Sequence, residues 1–295
     1  MNFNEEVAAA RVRKKPIVAL ESTVIAHGLP FPQNLEIARN LEKIVRENGA
    51  IPATIAVFDG EFCVGLNEKQ LERLATDQTI RKISRRDLPV AVAKKLNCAT
   101  TVSTTTFVAH RAGIKVFATG GIGGVHRGFP ADVSADLPEL ARTPIIVVCS
   151  GAKIVLDLPA TREWLETNGV CILGFRCNEL PAFYSRQSGL TVDERIESTE
   201  EVADIARARD ELNLPGAILL TVPVPEEFEI EVENLEKILS ESLKFADKKK
   251  ISGKEITPFL LAQMSEKSAG KTLKANIALL ENNAKIAAQI AIRMS

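Results

Sequence analysis

A lysine that follows a short apolar run is the residue of this chain best placed for covalent chemistry. Residues 145–148 (IIVV) are typical of a buried strand, and a short segment of small residues leads from it to Lys153. An amine at the carboxyl end of a strand loses hydration, which lowers its pKa and makes it a nucleophile towards a sugar carbon. The alternative is an ordinary surface lysine at the start of a helix.

A carboxylate occupies the corresponding place after the first predicted strand. Residues 17–20 are apolar, and Glu21 follows them directly. The carboxyl ends of the strands in an open α/β sheet form a crevice, where a carboxylate can act as a general acid or base. A carboxylate that caps a helix or closes a turn would have the same pattern.

A third strand is predicted at residues 116–119, and four glycines follow it. The segment 119–124 (TGGIGG) would let backbone amides approach a phosphate closely. A dinucleotide-binding pattern needs another glycine where His126 stands, and no helical pattern follows. A Rossmann cofactor site is therefore excluded, and both a phosphate-binding loop and a structural turn remain open.

Two aspartates with a serine between them come next. Asp132 and Asp136 are four residues apart, on either side of Ser134. Carboxylate oxygens and water suit a hard divalent cation such as Mn²⁺ or Mg²⁺, for which one carboxylate with several waters suffices. Aspartates that only close a loop or cap a helix are the alternative.

Two further groups of polar residues could contact a ligand. Lys82 belongs to a basic cluster at residues 81–86 that could bind a phosphate or form a solvated face. Asn276 and Asn283 are seven residues apart, which places them on one face of a helix that is otherwise apolar. Buried amides must find hydrogen-bond partners, either in the core or in a ligand.

The elements that must position these residues alternate between strands and helices. Strands are predicted at residues 17–20, 54–58, 61–64, 116–119, 145–148, 170–175 and 217–222. Helices are predicted at residues 33–47, 68–75, 88–95, 104–112, 226–250, 257–269 and 271–293. Continuous apolar strands between helices predict an α/β fold with a mainly parallel central sheet and flanking helices on both faces. No repeat or low-complexity linker interrupts the pattern, so residues 1–295 are predicted to form a single domain.

The composition narrows the class of protein. The net charge is −1 over 295 residues, which gives no bulk attraction to nucleic acid or to an anionic membrane. The sequence contains no apolar run long enough to cross a bilayer and no secretory signal pattern at its start. The five cysteines form no CxxC pair, so we expect reduced thiols and a cytoplasmic protein.

Taken together, these segments resemble the pseudouridine-5′-phosphate glycosidase family. The matching segments are residues 19–28 (ALESTVIAHG), 84–88 (SRRDL), 100–104 (TTVST), 118–128 (ATGGIGGVHRG), 132–137 (DVSADL), 150–153 (SGAK), 180–184 (LPAFY) and 276–284 (NIALLENNA). They occur in the family's order over nearly the whole chain, which makes the resemblance specific.

The resemblance implies a fold, a reaction and a role for each matching residue. The family has an α/β/α sandwich, forms homotrimers and reversibly cleaves pseudouridine 5′-phosphate to uracil and ribose 5-phosphate, with a divalent metal such as Mn²⁺. It implies that Lys153 is the nucleophile, which forms an adduct at C1′, that Glu21 is the proton donor, and that Asp132 is the metal ligand. Further substrate-binding positions implied by the match are Lys82, Val102, Thr119, His126, Ser134, Ala135, Asp136 and Asn276.

Three segments depart from the family pattern. The loop between Gly128 and Asp132 is shorter and lacks a threonine, which affects the expected metal geometry. Residues 177–180 and 221–223 also differ, which predicts a change in base specificity. Two other functions remain open: a catalytically silent regulator that binds a sugar phosphate, and a glycosidase that acts on a related C- or N-nucleotide.

Overall fold

The computed structural model describes residues 1–128, 131–251 and 256–295. The strands are β1 (Asn2–Phe3), β2 (Ile17–Leu20), β3 (Ile51–Phe58), β4 (Glu61–Val64), β5 (Arg81–Ile83), β6 (Cys98–Thr100), β7 (Val116–Ala118), β8 (Val125–His126), β9 (Ile146–Cys149), β10 (Leu156–Asp157), β11 (Cys171–Phe175), β12 (Glu194–Ile196) and β13 (Ile218–Thr221). The helices are α1 (Glu5–Val12), α2 (Gln33–Glu47), α3 (Glu68–Thr76), α4 (Leu88–Ala93), α5 (Val102–Arg111), α6 (Asp136–Leu140), α7 (Leu158–Thr167), α8 (Thr199–Glu211), α9 (Val232–Lys249), α10 (Ile256–Lys267) and α11 (Lys271–Arg293).

Within these described residues, eleven strands form one sheet. Its main path runs β1-β4-β3-β2-β7-β9-β13-β11-β12, and every pair from β3 to β12 along it is parallel. Strands β9 and β13 are buried along their whole length, as expected for strands that helices cover on both faces.

Two groups of helices cover the sheet. Helix α11 packs against α2 and α8 and lies on strands β2, β7 and β9. Helix α5 packs against α6 and lies on β2, β3 and β7. The sheet and its two helical layers make the predicted α/β/α sandwich. Among the described helices, none is both long and apolar enough to span a membrane.

The strongest sequence patterns gave the most accurate boundaries. The predictions for α2 and α11 are confirmed at both ends, because each helix has a long apolar face that packs on the sheet. Helix α5 begins at Val102 instead of residue 104, because the carboxylate of Asp136 accepts a hydrogen bond from the Ser103 amide in its first turn.

Strands β5 and β6 run in the opposite direction to the main sheet. Strand β6 pairs with β3 in antiparallel fashion, and β5 pairs with β6 in parallel. The carboxyl end of β6 therefore meets that of β2, where the Ser22 hydroxyl accepts a hydrogen bond from the Thr100 amide (2.8 Å). This reversal brings the segments around Lys82 and Val102 to the edge of the sheet that carries Glu21.

Candidate active site

A cavity of about 260 Å³ opens at the carboxyl edge of the central strands. From β2 the chain adds β3 on one side, and it later returns to add β7 on the other. Ligands of open α/β sheets bind at such a switch in strand order. The cavity is lined by all the predicted site residues except Thr119, namely Glu21, Lys82, Val102, His126, Asp132, Ser134, Ala135, Asp136, Lys153 and Asn276.

Glu21 lies in the cavity at the end of β2. Its carboxylate accepts a hydrogen bond from the Thr119 hydroxyl, so Thr119 reaches the site from behind the cavity wall. Burial raises the pKa of Glu21, and the positive charge of Lys153 and the bond from Thr119 oppose this effect. In the part of the chain that the structure describes, the Glu21 side chain caps no helix.

Lys153 lies in the loop that follows β9 and is partly buried. Its Nζ donates a hydrogen bond to the carbonyl oxygen of Gly121 at 2.8 Å. The backbone extends the parallel pairing beyond the strands, because the Ile122 amide donates to Gly151 (3.0 Å) and the Lys153 amide donates to Ile122 (3.1 Å). The alternative of a surface lysine at a helix start is therefore wrong.

The glycine segment after β7 has the geometry of a structural turn. The amide of Gly123 donates to the Asp136 carboxylate at 2.9 Å, and that of Ile122 is already bonded to Gly151. A Cβ at Gly123 would lie 2.2 Å from the Ser134 Oγ, so no larger residue fits. These two amides are directed into the protein, which favours the structural turn over a phosphate-binding loop at this point.

Asp136 is buried and both of its oxygens are occupied. One accepts from the Ser103 amide at 2.8 Å and the other from Gly123. The side chain thus joins the start of α5 to the glycine turn. Ser134 and Ala135 precede it, and the Ser134 Oγ accepts from the Asp136 amide at 3.3 Å.

Asp132 lies at the mouth of the cavity with half of its side chain exposed. Its Oδ2 is 3.1 Å from Nδ1 of His126. Within residues 1–128, 131–251 and 256–295, no group of three or more His, Cys, Asp or Glu side chains is placed to hold a metal ion. The donor set at Asp132 therefore fits an ion held by one carboxylate, with water and substrate oxygens as its other ligands, as is usual for Mg²⁺-like cations. The loop that departs from the family pattern includes positions 129 and 130, which lie outside the described residues.

Lys82 and the first turn of α5 form another side of the cavity. Lys82 is partly buried in β5, and the buried Val102 is the first residue of α5. The ammonium group of Lys82 attracts anions. This side can therefore bind a phosphate group.

The sequence interpretation missed several residues that line the cavity. Two of them carry buried polar atoms, the His27 Nε2 and the Thr101 Oγ1, for which the described residues offer no hydrogen-bond partner. Burial and the nearby charge of Lys82 lower the pKa of His27, so its imidazole is neutral at physiological pH. Both residues lie inside segments already matched to the family. Helix α10 also contributes to the wall, through Thr257 and Leu261, and no local signal indicated it.

The other sequence predictions have clear outcomes. Asn276 lines the cavity, and Asn283 lies fully buried two helical turns further along α11. All five cysteines are unpaired thiols, as predicted. In the part of the chain that the structure describes, the altered residues 177–180 and 221–223 do not line the cavity. The structure therefore offers no direct contact through which they would change base specificity.

Comparison with known proteins identifies the family. A family model described as indigoidine synthase A like protein matches residues 6–293. The chain belongs to this family. A pseudouridine-5′-phosphate glycosidase of Caldanaerobacter subterraneus subsp. tengcongensis is 53% identical over 297 residues, covering 100% of this chain and 97% of that protein. A protein of the same name from Geobacillus kaustophilus is 51% identical over 295 residues, covering 99% of this chain and 98% of that protein.

A solved structure shares the fold of this chain. The crystal structure of the prealnumycin C-glycosynthase AlnA in complex with ribulose 5-phosphate has a TM-score of 0.91 at 38% identity, covering 99% of this chain and 96% of that one. The predicted α/β/α fold and the predicted resemblance to pseudouridine-5′-phosphate glycosidases are both confirmed.

Proposed function

We propose that this chain reversibly cleaves the C–C glycosidic bond of pseudouridine 5′-phosphate and releases uracil and ribose 5-phosphate. The observation that carries the proposal is a buried carboxyl group and an amine in one cavity, Glu21 and Lys153, at the ends of strands β2 and β9. The names and full-length similarity of the relatives support this reaction. A protein that only bound a sugar phosphate would need neither group.

The environment of Glu21 favours the protonation state that a proton donor needs. Burial raises the pKa of Glu21, which favours the neutral acid. The neutral acid can donate a proton, so Glu21 supplies the proton donor of the reaction. Lys153 supplies the nucleophile, and the hydrogen bond from its Nζ to the Gly121 carbonyl at 2.8 Å holds the amine in the cavity.

The bond changes follow from these two groups. Nζ of Lys153 attacks C1′ of the ribose, the C1′–O4′ bond breaks, and O4′ takes up the proton that the attacking amine releases. Glu21 then protonates C5 of uracil, and the C1′–C5 bond breaks as the nitrogen lone pair forms a C=N bond to C1′. Water adds to this imine and releases ribose 5-phosphate and the lysine amine. The net reaction consumes one water.

The phosphate is assigned to the side of the cavity formed by Lys82 and the start of α5. A phosphate dianion there gains a charge-assisted contact with the ammonium group of Lys82. Binding energy from the phosphate holds the ribose in place after its ring has opened, when the sugar would otherwise be flexible.

A divalent cation, proposed to be Mn²⁺, would be held by Asp132 through one carboxylate and water. When bound, it would neutralise part of the phosphate charge. His126, beside Asp132, orients that carboxylate through the contact between Nδ1 and Oδ2.

The test is uracil release from pseudouridine 5′-phosphate, followed with and without Mn²⁺. The wild-type protein releases uracil, whereas Lys153→Ala and Glu21→Gln do not. Borohydride treatment with ribose 5-phosphate adds a reduced pentose phosphate to Lys153 in the wild type and in Glu21→Gln, but not in Lys153→Ala. Normal cleavage by Lys153→Ala would rule out the adduct.

The same assay separates the other functions. A silent regulator would bind ribose 5-phosphate without releasing uracil, and a glycosidase for a related nucleotide would prefer another member of a small panel of C- and N-nucleotides. We also propose a cytoplasmic homotrimer, on the basis of the family resemblance and the unpaired thiols. Light scattering of the purified protein measures the oligomeric state.

A further inference from the structure

A fully buried amide behind the cavity connects the two strand ends that carry the acid and the amine. The side chain of Asn283 in α11 has 0% exposure. Its Nδ2 donates to the carbonyl oxygen of Thr119 at 2.9 Å and to the hydroxyl of Ser150 at 3.1 Å. Thr119 follows β7 and Ser150 follows β9, so one side chain spans both strand ends.

Each partner of Asn283 leads directly to one of the reacting groups. The Thr119 hydroxyl donates to the Glu21 carboxylate. Ser150 begins the short loop that ends at Lys153, and its amide donates to the Gly120 carbonyl at 2.9 Å. The orientation of the Thr119 peptide and the start of the lysine loop therefore depend on the same amide.

The position of Asn283 gives it no other evident use. The neighbouring buried residues of α11 are apolar, among them Leu279, Leu280 and Ala287. An aliphatic residue would satisfy the packing there without the cost of burying an amide. Among the residues that the structure describes, Asn283 is not one that lines the cavity. It therefore acts through its hydrogen-bond partners and not by contact with a ligand.

We propose that Asn283 is a positioning residue for the cleavage reaction: it holds the Thr119 hydroxyl against Glu21 and holds the loop that presents Lys153. This inference rests on the proposed function for its catalytic consequence, whereas its structural part concerns only the two strand ends. The two parts are tested by separate measurements.

The structural part is tested by amide hydrogen exchange on Asn283→Leu. Protection falls at the hydrogen-bonded amides of Thr119, Ile122, Ser150 and Lys153 and is retained in the rest of the sheet. Asn34→Leu is the matched control, because Asn34 is also buried and its Nδ2 donates to the carbonyls of Ile25 (2.9 Å) and Ala75 (3.0 Å). Unchanged protection at the two strand ends, or an equal loss over the whole sheet, would overturn the proposal.

The catalytic part is tested by steady-state kinetics on the same variants. Asn283→Leu lowers kcat by about 10–100-fold, since small misplacements of reacting groups have effects of this size, and changes KM little. The alkaline limb of the pH profile moves to higher pH, because the bond from Thr119 that holds down the pKa of Glu21 is weakened. In Asn34→Leu the alkaline limb of the pH profile stays at its wild-type position.

A loss of kcat in Asn283→Leu with an unmoved limb would mean that the residue is only part of the core. If Asn283→Leu does not fold, Ser150→Ala takes its place, because it removes one of the same hydrogen bonds with a smaller change of side chain. Reduced amide protection at residues 150–153 in that variant supports the proposal, and unchanged protection there overturns it. If the wild-type protein releases no uracil, the proposed function fails, and hydrogen exchange still decides whether Asn283 holds the two strand ends.

Discussion

Replacing Asp136 with asparagine separates two effects of this buried carboxylate. It accepts hydrogen bonds from the amides of Ser103 and Gly123, and its negative charge adds to the burial that raises the pKa of Glu21. Asparagine keeps the shape and one acceptor oxygen, but it turns an NH₂ group towards one of the two amides. The substitution therefore removes one charge-assisted bond and weakens the other.

The magnitude follows from these contacts. Hydrogen bonds to charged groups contribute about 1.5–3 kcal/mol each, so we expect a loss of roughly 2–4 kcal/mol for Asp136→Asn. A chain of 295 residues has an unfolding entropy of about 0.6 kcal/mol per kelvin, so Tm falls by roughly 3–6 °C. Removal of the charge also lowers the pKa of Glu21, so the alkaline limb of activity moves to lower pH, opposite to the shift expected for Asn283→Leu.

Calorimetry and a pH profile of uracil release measure the two effects. Asp157→Asn is the control, because Asp157 also holds a backbone amide, that of Ala160 at 3.0 Å, but it caps α7 outside the cavity. Asparagine caps a helix about as well as aspartate, so this variant keeps the wild-type Tm and pH limb. An Asp136→Asn protein with wild-type Tm and an unmoved limb would refute the reasoning.

Three further substitutions test other parts of the site. Lys82→Ala raises KM for the nucleotide by roughly 10–100-fold with little change in kcat, since it removes a charge-assisted contact; equal turnover of pseudouridine and its 5′-phosphate would contradict this. Asp132→Asn lowers activity and its dependence on Mn²⁺ together in a metal titration, and full activity with no effect of a chelator would exclude the metal role. Gly123→Ala puts a Cβ 2.2 Å from the Ser134 Oγ, so Tm and kcat both fall; a wild-type Tm would show that the turn can relax.

The sequence predicted the residues that follow buried parallel strands. Glu21 and Lys153 each come after a continuous apolar run, and the carboxyl ends of parallel strands meet at one edge. Their presence in one cavity therefore follows from a local pattern and a general rule of sheet topology. The long amphipathic patterns of α2 and α11 were predictable for a similar reason, since a single apolar face fixes the helical period.

Residues whose placement depends on pairing could not be derived in this way. Lys82 lies in a three-residue basic strand, which has no apolar period, and only the antiparallel pairing of β6 with β3 brings it to the cavity. The sequence also shows that Asp136 is an aspartate, but not that distant amides occupy both of its oxygens. The contribution of α10 arises from tertiary packing alone.

The order of strands β2, β7 and β9 has a consequence for how the protein acquires activity. Thr119 and Glu21 are 98 residues apart in the chain, and β7 must lie between β2 and β9 before Glu21 and Lys153 face one cavity. Contacts between distant segments form late in folding, because the intervening chain loses entropy before they form. On refolding, helical circular dichroism therefore recovers before uracil release, and catalysis itself reports that the central strands have assembled.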